Sequence, residues 1–406
     1  MKMVFINKLN KFNGLCKYID QFSFALLNVG MIFFASRFLN NDQAAKYIII
    51  NSYSSFSLVV IVALVISPFW VFSVESTTRG AHYRLSLYLS VLISFASAIV
   101  LSSLMFLREH DWKYSTLIFG LSMCYPLYDF LRRSLYIVKK EFIAAILSLS
   151  LFFVTALSYF IMYFCGIRKA DDYLLVLIII MSLTSLSIIF LNRQNYSSSN
   201  DKFEIKKVIF DYWKIGKWAA ASMLCFWVIT QGSFIYLEKI IDNEQLVFTR
   251  LALSLSGIIA IYFSAIENKL MPEIREIIYQ GNSEQLISKW KNYFTHGLVT
   301  SICCTLFVVV FYSIFFKINQ YQLSIVLLMC IYQMVSGIFK FSSFHLKAKK
   351  LHKSVFYCNF ISVIIVILIY MSLKTNNPFV LPAIIIVNGT LSSALYSYFL
   401  FINRGK

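Results

Sequence analysis

Charge is scarce in this chain. Only 14% of its 406 residues are Asp, Glu, Lys or Arg, 59% are hydrophobic, and the mean hydropathy is +0.71. A soluble globular chain carries about 25% charged residues. The deficit excludes the two or three soluble domains that length alone would suggest. The chain also lacks the signatures of chemistry. It has no Walker A pattern, so no intrinsic ATPase is expected. Its eight cysteines, Cys16, Cys124, Cys165, Cys225, Cys303, Cys304, Cys330 and Cys358, show no metal-ligand spacing. The adjacent pair Cys303-Cys304 suits neither a disulfide framework nor a zinc site. The five histidines, His82, His110, His296, His345 and His352, are scattered at the ends of apolar stretches. No nucleophile–base pair accompanies them, so the chain is expected to be no enzyme and to need no metal or cofactor. The N-terminus lacks the short apolar core and small-residue cleavage site of a secretory signal.

What is present is a series of long apolar stretches. A bilayer-spanning helix needs about 20 mostly apolar residues. Twelve candidates fit, at 18–39, 47–72, 85–107, 114–138, 142–165, 173–191, 212–237, 246–267, 293–316, 321–344, 355–373 and 378–401. They are too long for the strands of a lipid-facing barrel, which run about ten residues. The expected fold is an all-α polytopic membrane protein. With a cytoplasmic N-terminus, about 27 of the 37 Lys and Arg fall on the inside. That bias is the positive-inside pattern and places both termini in the cytoplasm. Trp112, Trp213, Trp218 and Trp290 lie near span ends, where an aromatic belt belongs. The stretch "FEIKKVIFDYWKIGKW" (203–218) reads either as an amphipathic segment on the inner leaflet or as the ordinary start of the seventh span.

The chain looks duplicated. "NVGMIFFASRFLNNDQAAKY" in the first half matches "TQGSFIYLEKIIDNEQLVFT" in the second, pairing Gly30 with Gly232 and Arg37 with Lys239. Lys139-Lys140 after the fourth span match Lys349-Lys350 after the tenth, and Asn192-Arg193 match Asn403-Arg404. An even number of spans per repeat gives a parallel repeat. The expected organisation is a six-helix lobe at 1–191, a cytoplasmic linker at 192–211 and a second six-helix lobe at 212–406. A pseudo-twofold along the membrane normal would relate the lobes around a central cavity.

"KYIDQFSFALLNVGMIFFASRFLNNDQAAKYIIINSYSSF", "YWKIGKWAAASMLCFWVIT" and "LMPEIRE", set in a twelve-span plan, resemble the Wzx-type polysaccharide flippases. These belong to the multidrug/oligosaccharidyl-lipid/polysaccharide exporter superfamily. The resemblance covers nearly the whole chain and rests on architecture and loose patterns, not on an invariant motif. It implies an inner-membrane protein that moves undecaprenyl-diphosphate-linked O-antigen, or a related repeat unit of lipopolysaccharide biosynthesis, to the periplasmic leaflet. A polysaccharide polymerase and a chain-length regulator are the protein partners it implies. The lipid II flippases carry two further spans, and the expected twelve-span plan argues against that branch.

The span "YPLYDFLRRSLYIVKK" (125–140) carries Asp129, Arg132 and Arg133 at spacings i, i+3 and i+4, which share one helical face. Charges inside spans cost roughly 2.5–3.5 kcal/mol each on insertion scales and usually face a cavity or each other. The arginines either snorkel to the headgroups or attract a diphosphate. Asp129 is expected to pair with one of them, since an isolated buried carboxylate is untenable. Lys340 falls at a similar depth in the repeat partner. Arg132, Arg133, Lys340, Arg37 and Arg250 are therefore the candidate substrate-binding cations, with Asp129, Asp20 and Glu267 as ion-pair or coupling carboxylates. If an H+ or Na+ gradient drives transport, Asp129 is the best-placed carrier. Two rivals stand: a drug or organic-cation antiporter of the same superfamily, which needs anionic walls, and an O-antigen polymerase, which needs a large outside loop. The span charges lean positive and no outside loop is long.

Overall fold

A computed structural model of the chain describes residues 2–73, 79–192, 205–238, 241–316, 319–349, 351–373 and 379–402. Twelve helices long enough to cross a bilayer run through these residues, with no strand among them. They are α1 (Lys2–Phe38), α2 (Asn41–Phe72), α3 (Arg79–Glu109), α4 (Trp112–Ile137), α5 (Glu141–Phe164) and α6 (Ala170–Asn192). There follow α7 (Ile205–Tyr236), α8 (Asn243–Tyr279), α9 (Ser283–Phe315), α10 (Gln320–Ala348), α11 (His352–Leu373) and α12 (Val380–Ile402). Each expected span lies on one of these helices. The stretch from Ile205 is continuous with α7. All eight cysteines are free.

Local chemistry sets the helix ends. Asn40, Asp111, Asn282 and Asn319 cap α2, α4, α9 and α10, each accepting a backbone N–H with its side chain. In α2 the turn Val62–Ile66 is π-helical. Pro68 has no N–H to give the carbonyl of Leu64. The helix widens there, and the Ser67 hydroxyl donates to the Val62 carbonyl at 2.8 Å. A second π turn, Val228–Gly232, interrupts α7.

Contacts divide the chain into two units, Met1–Leu224 and Cys225–Lys406, with the boundary inside α7. The first half of α7 joins unit 1 for visible reasons. Tyr212 stacks on Phe72 and His82 at 5.6 and 6.1 Å and hydrogen-bonds Ser86 at 3.0 Å. Gly216 lies close enough to α2 that a Cβ would stand 3.1 Å from the Ala63 carbonyl oxygen. Within unit 1, α4 packs on α2, α3 and α6, while α2 meets α3 and α5 meets α6. Within unit 2, α10 packs on α8, α9 and α12, while α8 meets α9 and α11 meets α12. Adding six to each helix number turns one set of pairings into the other, as a parallel duplication requires. In unit 1 the ends holding Tyr18, Phe72, Arg79 and Ile137 form the near end.

Candidate functional site

Among the described residues, eleven helices are long and apolar enough to cross a membrane by length and composition, and α4 is the one left out. It falls short because it carries "YDFLRR" in place of apolar residues. Its i, i+3, i+4 spacing puts Asp129, Arg132 and Arg133 on one face. That face meets α1, which brings Asp20 and Gln21, α5, which brings Ser148, and the last turn of α2, which brings Trp70.

Arg132 is at the centre. Its Nη1 donates to Asp20 Oδ2 at 2.5 Å and its Nη2 to Asp129 Oδ1 at 2.6 Å. Its guanidinium carbon stands 4.2 Å from the centroid of the Phe24 ring. Arg132, Asp20 and Asp129 all have 0% exposure. Arg133 holds Asp129 through Nε, 3.0 Å from Oδ1 and 2.9 Å from Oδ2. Asp20 takes further donors from Ser148 Oγ at 2.5 Å and from the Tyr136 hydroxyl. Tyr128 hydrogen-bonds Ser148 at 2.9 Å, and Gln21 Nε2 donates to Tyr136 at 3.3 Å. Two carboxylates face two guanidiniums, so the cluster is formally neutral. Neutrality and the donors held by both carboxylates are what make such burial tolerable.

Asp129 pairs as its spacing suggests, and with both arginines rather than one. The arginines, grouped together by the sequence, take different places. Arg132 neither snorkels nor meets solvent; it is enclosed by carboxylates. Arg133 keeps 23% of its side chain exposed. Arg250 is buried on α8, where Nη1 donates to the Thr230 carbonyl of the π turn at 3.4 Å and the guanidinium stands 5.1 Å from the Phe234 ring centroid. Arg37 is exposed in the last turn of α1, where a cation complements the helix dipole. Lys340 belongs to unit 2, with its ammonium 5.7 Å from the Phe344 ring centroid. The side chains of Glu267 and Lys269, and Lys239 as a whole, lie outside the described residues.

Sequence reasoning missed Ser148, Tyr136 and Trp70 as members of the cluster. Tyr136 carried a signal, lying four residues past Arg132 on the same face. Farther from the near end, a small cavity between α1, α2, α4 and α6 is lined by Asn28, Tyr47, Asn51 and Tyr125 with Met31 and Met181. Tyr125 donates to Asn28, and Tyr47 shares a hydrogen bond with Tyr159 at 3.2 Å.

No protein-family model matches the chain, and no curated protein matches it. Solved structures do. The chain is similar to a multidrug resistance MATE family transporter of the MOP superfamily in an inward-facing conformation, with a TM-score of 0.68 and 10% identity over 95% of this chain and 97% of that one. It is also similar to the eukaryotic MATE transporter AtDTX14, with a TM-score of 0.61 and 14% identity over 98% and 96% of the two chains. A point mutant of the Vibrio cholerae MATE transporter VcmN matches with a TM-score of 0.61 and 12% identity over 98% and 97%. The fold is therefore MATE-like, the twelve-helix, two-lobe plan of that superfamily.

Proposed function

We propose that the chain is a flippase. It carries an undecaprenyl-diphosphate-linked oligosaccharide, an O-antigen or related repeat unit, from the cytoplasmic to the periplasmic leaflet of a bacterial inner membrane by alternating access. Both termini are cytoplasmic in this reading, and the near end of unit 1 faces the cytoplasm. The observation that carries it is the state of the two aspartates of the cluster. Asp20 and Asp129 are both engaged by guanidiniums at 2.5–2.9 Å, so neither is left over to receive an organic cation. The partly exposed cation of the cluster, Arg133, suits an anionic headgroup instead. If transport uses a proton gradient, Asp20 is the better carrier of the two, since it faces one guanidinium and Asp129 faces two.

The second reading, an organic-cation antiporter, draws on the fold itself, because the similar structures include a transporter named for multidrug resistance. One experiment separates the two. The chain is expressed in a flippase-null strain, with leaflet-resolved detection of the lipid-linked repeat unit, and in an efflux-deficient strain challenged with cationic dyes. Restored export without dye resistance is the expected result. Dye resistance without export would replace the flippase reading with the antiporter.

A further inference from the structure

Besides Arg132 Nε, the neutral cluster leaves two groups of donors unused, and they lie side by side. Arg133 spends only Nε on Asp129; its two terminal nitrogens form no hydrogen bond among the described residues. Its guanidinium carbon stands 5.8 Å from the centroid of the Trp70 indole. The Trp70 Nε1–H is buried and also has no acceptor among the described residues. A buried donor without an acceptor calls for an explanation, because leaving one unsatisfied costs about 1–3 kcal/mol. Both groups are fixed from behind. Trp70 packs on Tyr136 at 6.3 Å between ring centroids, and the Tyr136 hydroxyl is held by Asp20 and Gln21. Arg133 is held by Asp129, which keeps Arg132 as a partner 2.6 Å away if Arg133 turns toward a ligand. The resting pair can therefore open without stranding the carboxylate.

Resting on the flippase reading, we infer that Arg133 and Trp70 form a phosphate-binding subsite at the near end of unit 1, with the planar guanidinium fork and the indole N–H donating to the oxygens of one phosphate group. A phosphate offers several acceptor oxygens and no donor, which matches a site that offers only donors. An arginine fork meets two of those oxygens at once, which a lysine cannot do. Trp70 is in the last turn of α2, two residues before its end, and Arg133 is four residues before the end of α4. Both stand about 3–6 Å from a helix terminus, the depth of a headgroup and not of an acyl chain. Asp20, Arg132 and Asp129 are then the positioning set: they hold the fork and touch no ligand. The shared chemistry is a phosphate with free oxygens, whether borne by a prenyl diphosphate, a phospholipid headgroup or free in solution.

The test uses the full chain in phosphatidylcholine nanodiscs, with farnesyl diphosphate and inorganic pyrophosphate as titrants and phosphatidylglycerol nanodiscs as a third arm that competes with them. In Arg133→Gln, affinity for the phosphate probe is expected to fall about tenfold, the scale of one charge-assisted contact. Trp70→Phe, which keeps the ring and loses the N–H, should lose about threefold. Arg133→Lys should fall between Arg133→Gln and the parent, and it keeps a charge on Asp129 should Arg133→Gln fail to fold. Preference for farnesyl diphosphate assigns the site to a lipid-linked diphosphate. Equal binding of pyrophosphate assigns it to free phosphate, and competition by phosphatidylglycerol assigns it to headgroups. Each of these supports the subsite, provided the variants weaken it. Probe binding that is indifferent to Arg133→Gln, Arg133→Lys and Trp70→Phe overturns the subsite and leaves the flippase reading standing. Variant-sensitive binding in a protein that fails to restore export overturns the flippase reading and keeps the subsite.

Discussion

The fourth helix of each unit holds the same place in its pairing pattern and is fastened by opposite means. In unit 1, α4 is tied to α1 and α5 by a buried set of charges around Arg132. In unit 2, α10 is fastened by shape. The Phe263 ring of α8 lies against Gly337 of α10 so closely that a Cβ there would overlap it, and a Cβ on Gly297 of α9 would come within 2.8 Å of it. Tyr293 adds a hydrogen bond to the Gly337 carbonyl at 2.6 Å. The offset of 210 that relates Lys139 to Lys349 (349 − 139) sets Asp129 against Phe339, and Arg132 and Arg133 against Ser342 and Ser343. The outer pairings differ too. α1 packs along α5, while the unit 2 part of α7 makes no comparable pairing with α11 among the described residues. Duplication has kept the pairing of helices and let the chemistry of the hub diverge. The hub of α4 rests on buried ion pairs, and that of α10 on a ring packed against two glycines.

The largest effect expected from breaking this contrast is at Arg132. Arg132→Met leaves Asp20 without a guanidinium at a site with no exposure, which should cost about 3–5 kcal/mol of stability. Thermal unfolding of the detergent-solubilised protein measures it. Adding Asp20→Leu removes the stranded charge while Asp129 and Arg133 still pair. The double variant should then be more stable than Arg132→Met alone. A double variant at or below the single one would mean that the cluster is not held by charge balance.

In unit 2 the corresponding blow is steric. Gly337→Ala drives a methyl into Phe263, a ring with 1% exposure and no room to retreat. Overpacking of this kind costs about 1–3 kcal/mol. Phe263→Leu in the same chain should recover part of the loss, since the shorter side chain vacates the slot. Failure of that rescue would remove Phe263 as the fastener of α10.

Much of this was legible in the sequence, and the reasons are physical. Twelve apolar stretches predicted twelve helices because a bilayer leaves the backbone few other ways to satisfy its polar groups. The Lys139 and Lys349 correspondence anticipated the matching pairings of α4 and α10. The pairing of Asp129 with its own arginines followed from i, i+3 and i+4 spacing, which is local. The partnership of Asp20 with Arg132, 112 residues apart, is a product of helix packing that periodicity does not encode. Asp20 alone was visible as an acid near a span end. The ring-in-slot contact of Phe263 was hidden for a similar reason: Gly297 and Gly337 acquire meaning only when α9 and α10 are both in place.

A smaller effect is expected from the hydrogen-bonded part of unit 2. Ser362 Oγ donates to the Asn388 side chain at 2.8 Å, joining α11 to α12 in a buried contact. Asn388→Ala removes that acceptor, but the backbone carbonyl of residue 388 remains 3.0 Å from the same hydroxyl. The loss should be about 1 kcal/mol, read as a modest drop in Tm. A loss as large as that of Arg132→Met would show that unit 2 also depends on a polar lock.

The smallest effect is the sharpest test of the comparison. Ser342 stands where the offset of 210 places the counterpart of Arg132. Its hydroxyl is 3.3 Å from that of Ser397, at an exposed contact between α10 and α12. Ser397 has a second partner, the Ser393 carbonyl at 3.1 Å, so it is not stranded when Ser342 is truncated. Ser342→Ala should therefore change stability by no more than about 0.5 kcal/mol, as surface changes away from special features do. The two substitutions remove side chains at matching positions of matching helices, and only the environment differs. A near-zero value beside a loss of several kcal/mol at Arg132 would locate the difference in the charges of unit 1 and not in the hub position. Comparable losses at both would show that the position itself is fragile, and the contrast between a charged hub and a shaped one would fall.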